Sequence, residues 1–214
     1  QISGMKIFIV DDVPSNLDIL GHILQRNGLK VSIAPTGEKA LELVSLDKPD
    51  LILLDVRMPD MDGYEVCRKL KADVHSKDIP VIFITAMADT GDLVQGYKVG
   101  GVDYIAKPFH EEEVVCRITT QLKLKRAQDE VIRREKFYRV IVESVPDLIF
   151  QLDPDWKIVF ANPAFRLLGY DPAQLVGRPI GELIESDNKE NLLKDLATRQ
   201  VGPMAITDLE IKIK

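Results

Sequence analysis

The chain has little that would tie it to a membrane, a thiolate metal site or a nucleic acid. Two of its 214 residues are cysteines, Cys67 and Cys116, each isolated and far from the other, so neither a disulfide framework nor a CxxC metal motif is available. Tryptophan occurs once, at Trp156, and the three histidines, His22, His75 and His110, lack metal-ligand spacing. No apolar run approaches the ~20 residues of a membrane-spanning helix. The opening Gln1-Ile2-Ser3-Gly4 lacks the basic-then-apolar layout of a signal peptide. Basic charge is in deficit: 28 Lys and Arg stand against 34 Asp and Glu, net −6, a balance that argues against phosphate-backbone binding as the main task. There is no internal repeat or low-complexity tract. What remains, 45% hydrophobic and 29% charged residues, is an ordinary globular composition, long enough for one large or two small domains. These features predict a cytoplasmic protein that engages neither membrane nor nucleic acid.

Charge is unevenly distributed. Residues 1–120 carry 13 basic and 19 acidic side chains, residues 121–144 carry 7 and 4, and residues 145–214 carry 8 and 11. A basic stretch between two acidic segments reads as a solvated helix joining two domains.

The first segment alternates apolar strands with helix-length stretches. Strands are expected at Met5–Val10, Lys30–Ala34, Leu51–Leu54, Pro80–Ile84 and Val102–Ala106. Pro14 suits a first helical turn, Leu17, Leu20, Ile23 and Leu24 give that helix an apolar face, and Asn27-Gly28 stops it. Thr36 is placed to cap a second helix, a third runs through Val66, Leu70 and Val74, and a weaker one covers Asp92–Val99. Five such strands in order predict βαβ crossovers: a doubly wound, five-stranded parallel sheet covered on both faces, the flavodoxin-like α/β class.

Open parallel sheets bind ligands beyond the carboxyl ends of their strands. Immediately after strands one, three, four and five stand Asp11 and Asp12, Asp55, Thr85 and Lys107. Singly, an Asp at a strand end reads as a helix cap and a Lys as a solvent-facing charge. Four strand ends carrying such groups at once read as a site. Packed carboxylates repel, and a hard divalent cation with oxygen ligands relieves them. A carboxylate beside such a cation can act as a nucleophile toward phosphorus, with an ammonium and a hydroxyl for the phosphoryl oxygens.

Asp11-Asp12, Asp55-Val56-Arg57-Met58-Pro59 with Gly63, Thr85-Ala86, and Tyr104-Ile105-Ala106-Lys107-Pro108-Phe109 together resemble the receiver domain of two-component response regulators. The resemblance spans about residues 5–122, and no active-site position departs from it. It implies that Asp55 accepts phosphate from the histidine of a sensor kinase or phosphotransfer protein. It further implies Mg²⁺ held by Asp12, Asp55 and the backbone carbonyl of Arg57, with Asp11 helping through water. Lys107 would contact the phosphoryl group, its bond to Pro108 would be cis, and Thr85 and Tyr104 would form a switch pair. A rival reading is an aspartyl-nucleophile phosphatase. That chemistry needs a second Asp two residues on as acid/base, and the position holds Arg57, which does not deprotonate.

The second segment is smaller. Leu148–Leu152 and Trp156–Ala161 read as strands around the turn Asp153-Pro154-Asp155, and Asn162-Pro163 as cap and first turn of a short helix. Asp187 is expected to open a longer helix and Ile206–Ile213 to form a third strand. The run from Asp147 to Asp153, with Ala161-Asn162-Pro163-Ala164-Phe165, Leu168-Gly169-Tyr170 and Leu175-Val176-Gly177, resembles the N-terminal part of a PAS domain. PAS sheets have five strands, so the chain is expected to continue beyond Lys214 into the rest of that domain and an output domain, such as a histidine kinase or a cyclic-dinucleotide enzyme. Residues 1–214 themselves are expected to be no enzyme beyond their own phosphorylation and dephosphorylation. Residues 145–214 contain no His or Cys, so no haem ligand through His or flavin–cysteinyl adduct is expected.

The expected organisation is a receiver at 1–122, a helical linker at 123–144 and a partial PAS-like domain at 145–214. Along the linker, Leu124, Ala127, Val131, Tyr138 and Ile141 follow alternating three- and four-residue spacing if Arg134 fills the gap. That narrow seam predicts a homodimer paired as a short coiled coil.

Overall fold

The computed structural model describes residues 2–86 and 90–183, which fall into two compact units, Gln1–Val131 and Ile132–Lys214. The division lies inside the stretch expected to be linker.

In the first unit, strands β1 (Lys6–Val10), β2 (Lys30–Ala34), β3 (Leu51–Asp55), β4 (Val81–Thr85) and β5 (Asp103–Ala106) form one sheet in the order β2-β1-β3-β4-β5. Every neighbouring pair is parallel. Between them run α1 (Pro14–Arg26), α2 (Gly37–Leu46), α3 (Gly63–Ala72) and α4 (Thr90–Lys98), and α5 (Glu111–Ser144) follows β5. β3 and β4 are buried throughout, as central strands covered on both faces must be. Alternate side chains divide between two cores. Phe8, Val10, Ile52, Leu54, Val81 and Phe83 meet Ala40 and Val44 of α2 and Val66, Cys67 and Leu70 of α3. Ile7, Ile9, Leu51, Leu53, Ile82 and Ile84 meet Leu17, Leu20 and Leu24 of α1 and Val114, Ile118 and Leu122 of α5. The strand order reverses between β1 and β3, which opens a crevice at their carboxyl ends.

Local chemistry accounts for most helix boundaries. Thr36 caps α2 as expected, its Oγ1 accepting from the Lys39 amide at 3.2 Å, and Asp62 caps α3, accepting from the Glu65 amide at 2.7 Å. Val74 is not on α3: the helix ends at Ala72, and Val74 is exposed. Asp73 turns the chain there, accepting from the His75 amide and the Ser76 hydroxyl, a local alternative to helical bonding. The two cysteines divide: Cys67 is buried and Cys116 exposed. In α5 the buried positions are Val114, Ile118 and Leu122, while Leu124, Val131, Tyr138 and Ile141 are exposed.

In the second unit, β6 (Phe150–Leu152) and β7 (Ile158–Ala161) pair antiparallel. Asp153 shapes their turn by accepting from the amides of Asp155 and Lys157, both at 2.9 Å. A 3₁₀ segment (Pro163–Leu168), the short α6 (Pro172–Leu175) and a second 3₁₀ turn (Ile180–Glu182) follow. Phe165, Ile158, Leu175 and Ile180 form the core, and Trp156 packs against it as a hairpin residue. Asn162 is no cap. Its side chain is fully buried, donates to the carbonyls of Val142, Val145 and Asp147, and accepts from the Ile149 amide. Three carbonyls within reach outbid one helix N-terminus for the amide. The helix expected from Asp187 and the strand expected at Ile206–Ile213 lie outside the described residues.

Candidate functional site

The crevice at the β1/β3 reversal is where the strand-end carboxylates meet. Asp11 and Asp12 follow β1, Asp55 closes β3, and carboxylate oxygens of all three lie within 4.8 Å of one another. Lys107, directly after β5, reaches into the same group: its Nζ lies 3.0 Å from Asp11 Oδ2 and 3.1 Å from Asp55 Oδ2. Thr85 closes β4 and is buried. The Lys107–Pro108 bond is cis. Arg57, two residues after Asp55, is exposed, with Asp12, Val56, Met58 and Pro59 beside it around an open depression.

The three carboxylates are not equivalent. Asp11 is saturated: Oδ1 accepts from the Val13 amide and from Asn16 Nδ2, both at 2.9 Å, and Oδ2 accepts from Asn16 Nδ2 at 2.9 Å and from Lys107 Nζ. Asp12 Oδ1 is buried with no hydrogen-bond partner among the described residues. A buried carboxylate oxygen left so costs a few kcal/mol unless something absent from the protein chain pairs it. Asp55 is 4% exposed, and its carboxyl is raised from 3.8 to about 6, by burial first and by the Asp11 charge second, with Lys107 opposing. Burial works against the Lys107 ammonium, yet its hydrogen bond to Asp11 and the charge of Asp55 outweigh that and hold it above the usual lysine range.

Counting charge shows what the site lacks. Three ionised carboxylates with one ammonium leave two negative charges and one unpaired buried oxygen, beside the open depression at Arg57. A divalent cation with oxygen ligands matches that deficit in charge and chemistry. Asp12 and Asp55 have the lone pairs to offer, whereas those of Asp11 are already in use.

Residues 7–119 match the response regulator receiver domain family. The chain belongs to that family. Residues 136–207 match the PAS fold. The receiver resembles response regulator PleD of Caulobacter vibrioides, 41% identical over 130 residues, which are 61% of this chain and 29% of that protein. It also resembles the DNA-binding response regulator MtrA of Mycolicibacterium smegmatis, 39% identical over 125 residues, 58% of this chain and 53% of that one. The chain thus spans about a third to a half of the curated relatives it matches. Among solved structures, a putative response regulator from Chloroflexus aurantiacus superposes with TM-score 0.55 at 32% identity, over 56% of this chain and 99% of that one. The receiver domain of sensor histidine kinase PA1611 from Pseudomonas aeruginosa, crystallised with a magnesium ion in its active-site cleft, gives 0.53 at 30%, over 56% and 99%. The relatives are response regulators of two-component systems, and this chain is a receiver followed by a PAS fold.

The receiver's crevice gathers Asp11, Asp12, Asp55 and Lys107 into one contact group. Thr85 and Tyr104 instead share a neighbouring cavity of about 20 Å³, walled by Val56, Tyr64, Phe83 and Gly96. Two residues of the site are not legible by strand-end logic. Asn16, on the first turn of α1, reads as an ordinary helix polar residue, yet it orients Asp11. Gly63 is visible in the motif, but its reason is spatial: a Cβ there would stand 2.2 Å from the carbonyl oxygen of Asp55. Among the described residues, no helix is long and apolar enough to cross a membrane.

Proposed function

We propose that Asp55 is the phospho-acceptor of this receiver, charged by the phosphohistidine of a sensor kinase or phosphotransfer protein in the cytoplasm. The observation that carries the reading is the buried Asp55 carboxylate, grouped with Asp11 and Asp12 and touched by Lys107. With a pKa of about 6, most Asp55 is ionised at neutral pH and has a lone pair to offer. An Asp55 oxygen forms the new O–P bond as the P–N bond breaks, and the electron pair of that bond leaves with the imidazole nitrogen. Asp12, Asp55 and the Arg57 carbonyl would hold Mg²⁺, with Asp11 contributing charge from behind. The ion supplies neutralisation of the phosphoryl oxygens. Lys107, already between Asp11 and Asp55, adds its ammonium to the same oxygens and trades one carboxylate contact for a phosphoryl one.

Transmission follows from the neighbouring cavity. Thr85 donates its hydroxyl to a phosphoryl oxygen and withdraws from that cavity, whose wall it now forms with Tyr104. The Tyr104 ring turns into the space released. Domain bounds of 1–122, 123–144 and 145–214 describe the working parts, and the exposed stripe of Leu124, Val131, Tyr138 and Ile141 supports pairing of two copies along the linker. The chemistry of residues 1–214 is gain and loss of phosphate at Asp55.

Intact-mass measurement after exposure to acetyl phosphate and Mg²⁺ tests the proposal. One phosphoryl group is expected on the wild type, labile to hydroxylamine, and none on Asp55→Asn. Equal incorporation in the two, or acid-stable adduct, would overturn it.

A further inference from the structure

We infer that Arg117 holds the Tyr104 ring in the half-buried position it takes in this structure, and thereby sets the resting bias of the switch against a deeper, inward one, an inference that rests on the Thr85–Tyr104 reading above. Arg117 lies near the start of α5, and its guanidinium is tied on two edges: Nη1 lies 2.7 Å from Asp103 Oδ1, and Nε lies 2.8 Å from Glu113 Oε1. The guanidinium carbon stands 5.0 Å from the centre of the Tyr104 ring, over its face. Asp103 Oδ1 also accepts from the Tyr104 backbone amide at 2.8 Å, so one carboxylate positions both the ring's own residue and the cation above it. Asp103 and Tyr104 both line the cavity behind Thr85.

Fixing two edges of a guanidinium fixes its plane. The face it offers to Tyr104 is therefore present whether or not the ring is there. When the ring turns inward, the two ion pairs remain and only the stacking of cation on ring is given up. That stacking favours the half-buried ring position by roughly two- to fivefold at a half-exposed site. A ligand that prefers the inward ring must overcome the bias, and removing the bias must strengthen that ligand by up to the same factor.

Arg117→Gln in the 214-residue chain tests this, with ¹³C-labelled tyrosine and the Tyr104 signal identified by its loss in Tyr104→Leu. The probe of the phosphorylated state is beryllofluoride with Mg²⁺. In Arg117→Gln the ring signal of the unphosphorylated protein is expected to move upfield, toward the ring currents of Phe83 and Tyr64. Beryllofluoride affinity is expected to rise roughly two- to fivefold, with no rise when the same change is made in Tyr104→Leu. An unmoved ring signal overturns the inference. So does an equal gain in affinity in the Tyr104→Leu background, since Arg117 would then act by docking α5 on β5. A ring signal that moves while no variant binds beryllofluoride supports the Arg117 hold and overturns the phospho-acceptor reading instead. Should Arg117→Gln fail to fold, Glu113→Gln frees one edge of the guanidinium, and a smaller upfield movement is expected. No movement there overturns the inference equally.

Discussion

Replacing Asp55, the proposed phospho-acceptor, should stabilise the receiver in chelator. In the folded chain the Asp55 carboxyl is raised from its ordinary 3.8 to about 6, chiefly by burial and by Asp11. The folded state thus holds a proton that the unfolded chain has released, across the window between those two values. Stability is highest below pH 4 as far as this group is concerned. It falls as pH rises toward 6 and stays lowered above it. Each tenfold difference in proton affinity is worth about 1.4 kcal/mol, so ionised Asp55 costs the fold about 3 kcal/mol at neutral pH. Asn is nearly isosteric with the protonated carboxyl and carries no charge. Asp55→Asn should recover most of that sum at pH 7 and flatten the slope between pH 4 and 6. The assay is native-state hydrogen exchange of the β3 and β4 amides in chelator, which reads this unit directly, whereas Trp156 lies in the other. Millimolar Mg²⁺ should stabilise wild type and narrow the gap to Asp55→Asn, by mass action on the folded state alone. If Asp55→Asn is less stable than wild type at pH 7 in chelator, the account of a mutually repelling carboxylate cluster is wrong.

Three further outcomes follow from single contacts. Asp12→Asn takes away a charged oxygen that has no hydrogen-bond partner among the described residues, so Mg²⁺ affinity should drop about ten- to hundredfold by titration, whereas unchanged affinity would remove Asp12 from the proposed metal site. Gly63→Ala places a methyl group against the Asp55 carbonyl, where a Cβ would stand at 2.2 Å. Thermal unfolding should show a loss of roughly 1–3 kcal/mol, and phosphorylation by acetyl phosphate should slow. Full stability would mean that the α3 start moves freely. Asn162→Ala leaves the Ile149 amide and the carbonyls of Val142, Val145 and Asp147 short of partners, at a cost of roughly 1–3 kcal/mol. Trp156 fluorescence should report the loss in the second unit, with β3 and β4 exchange unaffected. A matching loss in both would show that Asn162 supports more than its own unit.

Strand-end chemistry made the site legible because parallel sheets expose their carboxyl ends by rule, so the residue after each apolar run is a position known in advance. The two-sided cores of β3 and β4 were legible for the same reason: an unbroken apolar run has no solvent face. What escaped was set by contacts distant in sequence or by competition for one group. Asn162-Pro163 has the form of a helix start, and nothing local reveals that carbonyls fifteen to twenty residues earlier compete for its amide. The end of α3 was overrun because Val74 continues the apolar spacing while Asp73 breaks the helix. Cys116 shares a helix with three buried residues but points away from them, a phase that a single residue does not reveal. Arg117 looks like one more charge on a polar helix until Glu113, Asp103 and the Tyr104 ring are seen around it.

The buried amide of Asn162 also constrains how this chain can drift over generations. The position demands two N–H donors and an acceptor on a two-carbon stem, inside a site with no exposure at all. Asp offers the acceptor but would aim a second carboxylate oxygen at carbonyls, Ser and Thr carry one donor and fall short, and Gln adds a methylene that a filled interior resists. In the core of the same unit, by contrast, Ile158, Leu175, Ile180 and Leu183 are aliphatic side chains of similar volume, and exchanges among such side chains pass at small cost. In a family of descendants the core of the second unit should therefore wander while residue 162 stands still, held by backbone partners alone.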